Sequence, residues 1–189
     1  MSGGQESYEN IGRSTPQAVE AEVAFLGGVM QDANALSDTV SLLEPDDFFQ
    51  ERHRVVWEAL RKLSQLNIPV GVVTLSAELE KDGRLETVGG RDYLLRLVES
   101  VGSAAQAKVL AELIRKKSTM RRLIAAATGA IREAEDPASE PDEVISKVEG
   151  EIMSLAERQV KDSLRPAGDV VQEVLKALEN RKDGLSGCP

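Results

Sequence analysis

The sequence predicts an all-α protein, in which a small globular helical domain is followed by an antiparallel helical hairpin and a linker helix. Three observations carry this. Hydrophobic residues make up 41% of the 189 positions but aromatics only 3%, so the core must be built from Leu, Val, Ile and Ala, which suits packed helices better than aromatic-rich strands. Apolar residues recur at three- and four-residue spacing along most of the chain. No proline interrupts the run from Gly102 to Pro137, which is longer than a typical globular helix. The predicted organisation is a disordered tail over 1–14, a globular domain over 15–117, a hairpin over 118–159 and a hinge with its linker helix over 160–189.

Each element has its own signals. Thr15 is placed to cap a helix with Pro16 at its first position, and Val19, Val23, Leu26 and Met30 form the buried stripe. Gly27 and Gly28 permit close approach of a neighbour. A shorter helix around Leu36, Val40 and Leu43 ends at Glu44-Pro45. Beyond the EPDDFF corner, Val56, Leu60 and Leu63 define the next helix, with Trp57 as its large anchor. NIPVGVV reads as an extended connection, after which Thr74 caps a helix carrying Leu75 and Leu79 that Gly83 stops. Gly89 and Gly90 follow. Without a preceding strand, a G-x-G-x-x-G or a G-x-x-x-x-G-K-[ST], this pair is a chain reversal rather than a phosphate cradle. Tyr93, Leu94, Leu97, Val98 and Val101 line the helix it opens.

The long run begins with a capping box at Ser103 and Gln106, and reads as one or two helices. DPASEP (136–141) reverses the chain, and the returning helix sets Val144, Val148, Ile152 and Leu155 on one face, where Ile124, Ala127 and Ile131 of the outgoing helix can meet them. Two helices alone bury too little apolar surface to be stable, so Ile124, Ile131, Val144, Val148 and Leu155 are candidate interface residues. After a hinge containing Pro166 and Gly168, Asp169 and Gln172 frame a last amphipathic helix. Its apolar face, Val170, Val171, Val174, Leu175 and Leu178, has nothing left in the chain to pack on.

Composition excludes much chemistry. A formal net charge of -9 opposes nucleic-acid binding by the chain as a whole. The lone Cys188 forms no internal disulfide, no apolar run approaches a membrane span, and MSGGQESYEN is no signal peptide, so a cytoplasmic protein is expected. With one histidine, His53, and no cysteine pair, an ordinary zinc site is excluded. His53 reads as a helix-start histidine in local hydrogen bonds, and Glu20, Glu22, Asp46 and Asp47 as solvated faces and caps. Arg115, Lys116, Lys117, Arg121 and Arg122 read as an exposed face or a protein contact. No catalytic, cofactor-binding or metal-binding residue is expected. The competing readings are a small helical enzyme with a site near Asp46, Asp47 and His53, and a free-standing adaptor.

In order along the chain, PQAVEAEVAFLGGVM, EPDDFFQERHRVVWEAL, PVGVVTLSAELEKDGRLETVGGRDYLLRL and SAAQAKVLAELIRKKSTMRRLI resemble the N-terminal half of the DnaB-type replicative DNA helicases. The resemblance departs at Gly71, where an aspartate is usual, and at Gln106 and Leu110, which replace an asparagine and a tyrosine. GLSGCP resembles the approach to the motor domain, so the resemblance implies a truncated helicase whose ATP- and Mg2+-using motor is absent. It further implies a dimer-based homo-oligomer, a hexamer in the full-length protein, formed through the hairpin. The collar would be a docking platform for primase and, in some lineages, a helicase loader. The linker helix would pack on a neighbouring motor domain, and single-stranded DNA would be held by the motor.

Overall fold

The computed structural model describes residues 15–100 and 104–163, with side-chain surroundings given as far as 158. Every regular element among the described residues is helical: α1 (Val19–Gln31), α2 (Ala33–Thr39), α3 (Glu51–Gln65), α4 (Val72–Lys81), α5 (Leu85–Val88), α6 (Gly90–Glu99), α7 (Ala107–Ala134) and α8 (Pro141–Ser163). The tail (1–14), Val101 and Ser103, and the linker helix with Val170, Val171, Val174, Leu175 and Leu178 lie outside the described residues. The chain divides into two units between Ile131 and Arg132.

The first unit, here the head, is packed around Trp57, whose ring lies 5.2 Å from Phe25 and 5.8 Å from Phe48. Its indole N–H donates to the Leu43 carbonyl at 3.0 Å, so the anchor is polar-satisfied as well as buried. Leucines surround this aromatic centre: Leu26, Leu60, Leu63, Leu75, Leu94 and Leu97 are all fully buried. The α1–α6 contact is close because Gly27 has no side chain. A Cβ there would stand 2.1 Å from the Leu97 carbonyl oxygen. Gly89 and Gly90, with φ of 103° and 72°, turn α5 into α6 in a backbone region that side chains disfavour. Gly83, with φ of 66°, follows the end of α4 as expected.

Three boundaries differ from the sequence reading. Helix α1 starts at Val19, past Thr15 and Pro16, and the Pro16 carbonyl accepts from Arg121. Helix α2 stops at Thr39, whose hydroxyl bonds back to the Ala35 carbonyl at 2.6 Å, so Leu43 lies beyond it. Helix α4 begins at Val72, which leaves Thr74 as the third helical residue rather than the cap. Of the two alternatives for the long run, the structure has the single helix, α7, entered through a 3-10 turn at Ala104–Gln106.

The start of α4 makes a prediction. The Thr74 hydroxyl accepts the Gly71 N–H at 3.0 Å, half of a reciprocal cap whose other half needs a side chain at 71. Gly71 has φ of -170°, extended backbone open to any residue, and a Cβ there meets only the Thr74 hydroxyl at 4.0 Å. Gly71→Asp is expected to stabilise the protein by about 0.5–1 kcal/mol, from the added cap and a less disordered unfolded chain. Chemical denaturation checks this, and an unchanged or lowered midpoint would refute it.

In the second unit, the end of α7 leads into the expected reversal, where the Asp136 carboxylate accepts the Ala138 N–H at 2.9 Å and its carbonyl accepts the Ser139 N–H at 3.0 Å. Lys147 of α8 forms an ion pair with Glu133.

Candidate functional site

The most concentrated polar chemistry lies inside the head. Glu22 on α1, His53 on α3 and Tyr93 on α6 are 1%, 0% and 6% exposed. The turn after Asp47 aims two backbone N–H groups at Glu22: Phe49 donates at 2.7 Å and Gln50 at 3.4 Å. His53 Nδ1 lies 2.6 Å from the second carboxylate oxygen, and its Nε2 lies 2.6 Å from the Tyr93 hydroxyl. A neutral imidazole satisfies both contacts, its Nδ1–H donating to Glu22 while Nε2 accepts from the phenol. Arg52 lies over the Tyr93 ring, 4.3 Å from its centroid, with Arg96 at 5.5 Å. The carboxylate, imidazole and phenol form a chain that ties three helices together, with the other carboxylate oxygen taken by the Phe49 N–H.

Burial pushes the Tyr93 phenol above its usual pKa, against the opposing charges of Arg52 and Arg96, while Glu22 adds to the rise. Because the folded value is raised, the contribution to stability is complete below the ordinary tyrosine range, near pH 10, and is lost as pH rises from there through the folded value. The protein is expected to lose stability above about pH 10, and Tyr93→Phe to flatten this alkaline limb while lowering stability near neutrality by about 1–3 kcal/mol, because His53 Nε2 then lacks its donor. Denaturation midpoints across pH check it. A limb equally steep in both proteins would count against the assignment.

Two readings are corrected here. Glu22 belongs to the buried stripe of α1 instead of a solvated face, and His53 bonds to groups 31 and 40 residues away instead of locally. The signal for Glu22 was its spacing, three residues after Val19 and four before Leu26.

Asp47 is the second polar centre. It is 1% exposed, and its carboxylate accepts the Glu44 N–H at 2.8 Å and the Ser118 hydroxyl of α7 at 2.7 Å. Arg121 donates to the backbone carbonyls of Asp47 at 2.5 Å and Pro16 at 3.0 Å, and Arg122 lies 3.7 Å from the Asp47 carboxylate. The basic group therefore splits: Arg121 and Arg122 face this corner, while Lys116 is exposed. Asp46 is exposed, whereas Asp47 and His53 are buried and committed to different partners, so these three are not assembled into one site.

Of the candidate interface residues, Ile124 and Ile131 are exposed on α7, and Val144, Val148 and Leu155 are half-buried on α8. Ile152 is exposed, with Ile145 and Met153, and so does not share the cover of Val148. Among the described residues no group of three or more His, Cys, Asp or Glu is arranged to hold a metal, and no helix is long and apolar enough to cross a membrane.

This helical head carries the sequence blocks of one family. The family model described as the DnaB-like helicase N terminal domain matches residues 14–116. The chain belongs to this family. The DnaB-like N-terminal domain here is 34% identical to the replicative DNA helicase DnaB of Rhodothermus marinus over 185 residues, 96% of this chain and 20% of that protein. It is 33% identical to the replicative DNA helicase DnaC of Bacillus subtilis over 180 residues, 94% of this chain and 40% of that protein. The chain thus spans well under half the length of these relatives. Among solved structures, the N-terminal domain of DnaB helicase from Mycobacterium tuberculosis matches with a TM-score of 0.70 and 33% identity, over 74% of this chain and 99% of that one. A DnaB-like replicative helicase, solved in a study of its interactions with primase, shares the fold at a TM-score of 0.55 and 20% identity, over 84% of this chain and 35% of that one.

Proposed function

We propose that this chain is the collar and assembly portion of a replicative DNA helicase, pairing with further copies through α7 and α8 and offering a docking platform to primase and, in some lineages, to a loader. The observation that carries the reading is the apolar surface of those helices: Leu123, Ile124 and Ile131 on α7 and Ile145, Ile152 and Met153 on α8 are between 46% and 62% exposed. Runs of large apolar side chains at this exposure mark contact surfaces. Dimers made this way are the units of a hexameric ring. Family membership supports the assembly role, and the primase named for a protein of the same fold supports the docking role. ATP, Mg2+ and single-stranded DNA belong to the motor domain of the whole helicase, and the place of work is the cytoplasm.

Titration of the chain with primase in a calorimeter tests the docking role. Saturable binding at the concentrations at which a full-length helicase of this family binds primase is expected. Absence of heat and of co-elution there would overturn it.

A further inference from the structure

We propose that the Asp47 corner is the joint that sets the direction of the outer turns of α7 within the first unit. The buried apolar residues of α7 are Ala107, Ala111 and Ile114, and the next and last buried residue among those described is the polar Ser118. From there one face of the helix, Ser118, Arg121 and Arg122 at spacings of three and four, is turned to a single corner. Arg121 reaches two segments at once, the Pro16 carbonyl ahead of α1 and the Asp47 carbonyl ahead of α3, and its guanidinium lies 5.7 Å from the Phe49 ring centroid. Asp47 is itself held from behind by the Glu44 N–H.

The chemistry of this attachment matters. Apolar contact is non-directional, and a helix resting on it can roll and tilt at low cost. Hydrogen bonds weaken steeply once bent or stretched, so several donors converging on one corner hold both the rotation and the tilt of α7. Because no buried apolar residue of α7 follows Ile114, releasing Ser118 and Arg121 frees the outer helix without opening the core. The clasp is thus a release point, separate from what folds the head.

Spin labels at Glu86→Cys on α5 and Ala125→Cys on α7, both exposed and both within the first unit, report this direction once Cys188 is replaced by serine. Labelled protein is diluted in unlabelled protein, so the distances are those within one chain and the result does not depend on self-association. Electron–electron double resonance is expected to give one narrow distance distribution for the otherwise unaltered chain. Ser118→Ala combined with Arg121→Ala is expected to broaden it and add a second maximum, and Ser118→Ala alone to broaden it less. An unchanged distribution in the double variant would overturn the proposal, since Ala107, Ala111 and Ile114 would then suffice. Loss of the head's cooperative unfolding in both variants would also overturn it, because the clasp would then belong to the core.

Discussion

Replacing Glu22 with alanine is expected to lower the stability of the head by about 3–5 kcal/mol. The carboxylate, 1% exposed, accepts from the half-buried Phe49 and Gln50 amides and from the fully buried His53. Truncation leaves the buried His53 without its acceptor, at about 1–3 kcal/mol, and the two half-buried amides without theirs at a smaller cost. It also leaves a gap where the side chain stood. Against a total stability of roughly 5–15 kcal/mol, such a loss leaves a substantial unfolded population on mild heating. Glu22→Gln keeps the shape and one acceptor, and should fall between the two. Urea denaturation followed by circular dichroism measures both, and a Glu22→Ala midpoint close to that of the unaltered chain would mean the network is ornamental.

Val148→Asp is expected to weaken self-association by roughly 3 kcal/mol, about a hundredfold in dissociation constant, with little change in the helix content of a single chain. Val148 is half-buried on α8, so the chain itself leaves part of the side chain open. A carboxylate at that position stays hydrated in the monomer but must be stripped of water, without a partner, when a second copy covers it. Sedimentation velocity across a concentration series separates the cases. Equal association of the two proteins would remove Val148 from the interface, and a strict monomer at every concentration would remove self-association through α7 and α8 altogether.

Helical periodicity, caps and glycine corners were legible from the residues alone, because each depends on neighbours within a turn or two. Trp57 stood out as the one bulky residue in a leucine-rich stretch, and Gly27 as a gap in a stripe. The polar networks were far less legible. His53 meets Glu22 and Tyr93 across 31 and 40 residues, and Asp47 meets Ser118 across 71. No local pattern encodes those pairings, since they exist only once α1, α3, α6 and α7 are packed. Acidic residues next to basic ones look like ordinary solvated surface until the fold turns them inward. The start of α4 shows the same limit at short range: whether Thr74 serves as the cap or as the third residue depends on whether Val72 and Val73 join the helix, and their side chains permit either.

The single tryptophan has a practical consequence. Trp57 is wholly enclosed in the head, its other close rings Phe25 and Phe48 belong to the same centre, and residues 132–163 contain no aromatic side chain. Fluorescence and near-ultraviolet dichroism of this region are therefore blind to α8, whereas far-ultraviolet dichroism counts its peptide groups along with all the others. The molecule carries a built-in optical contrast between its two parts. Melting curves recorded at the two wavelengths superimpose only when both parts melt together, and a gap between them reads helix lost away from Trp57, in α8 or in the outer turns of α7.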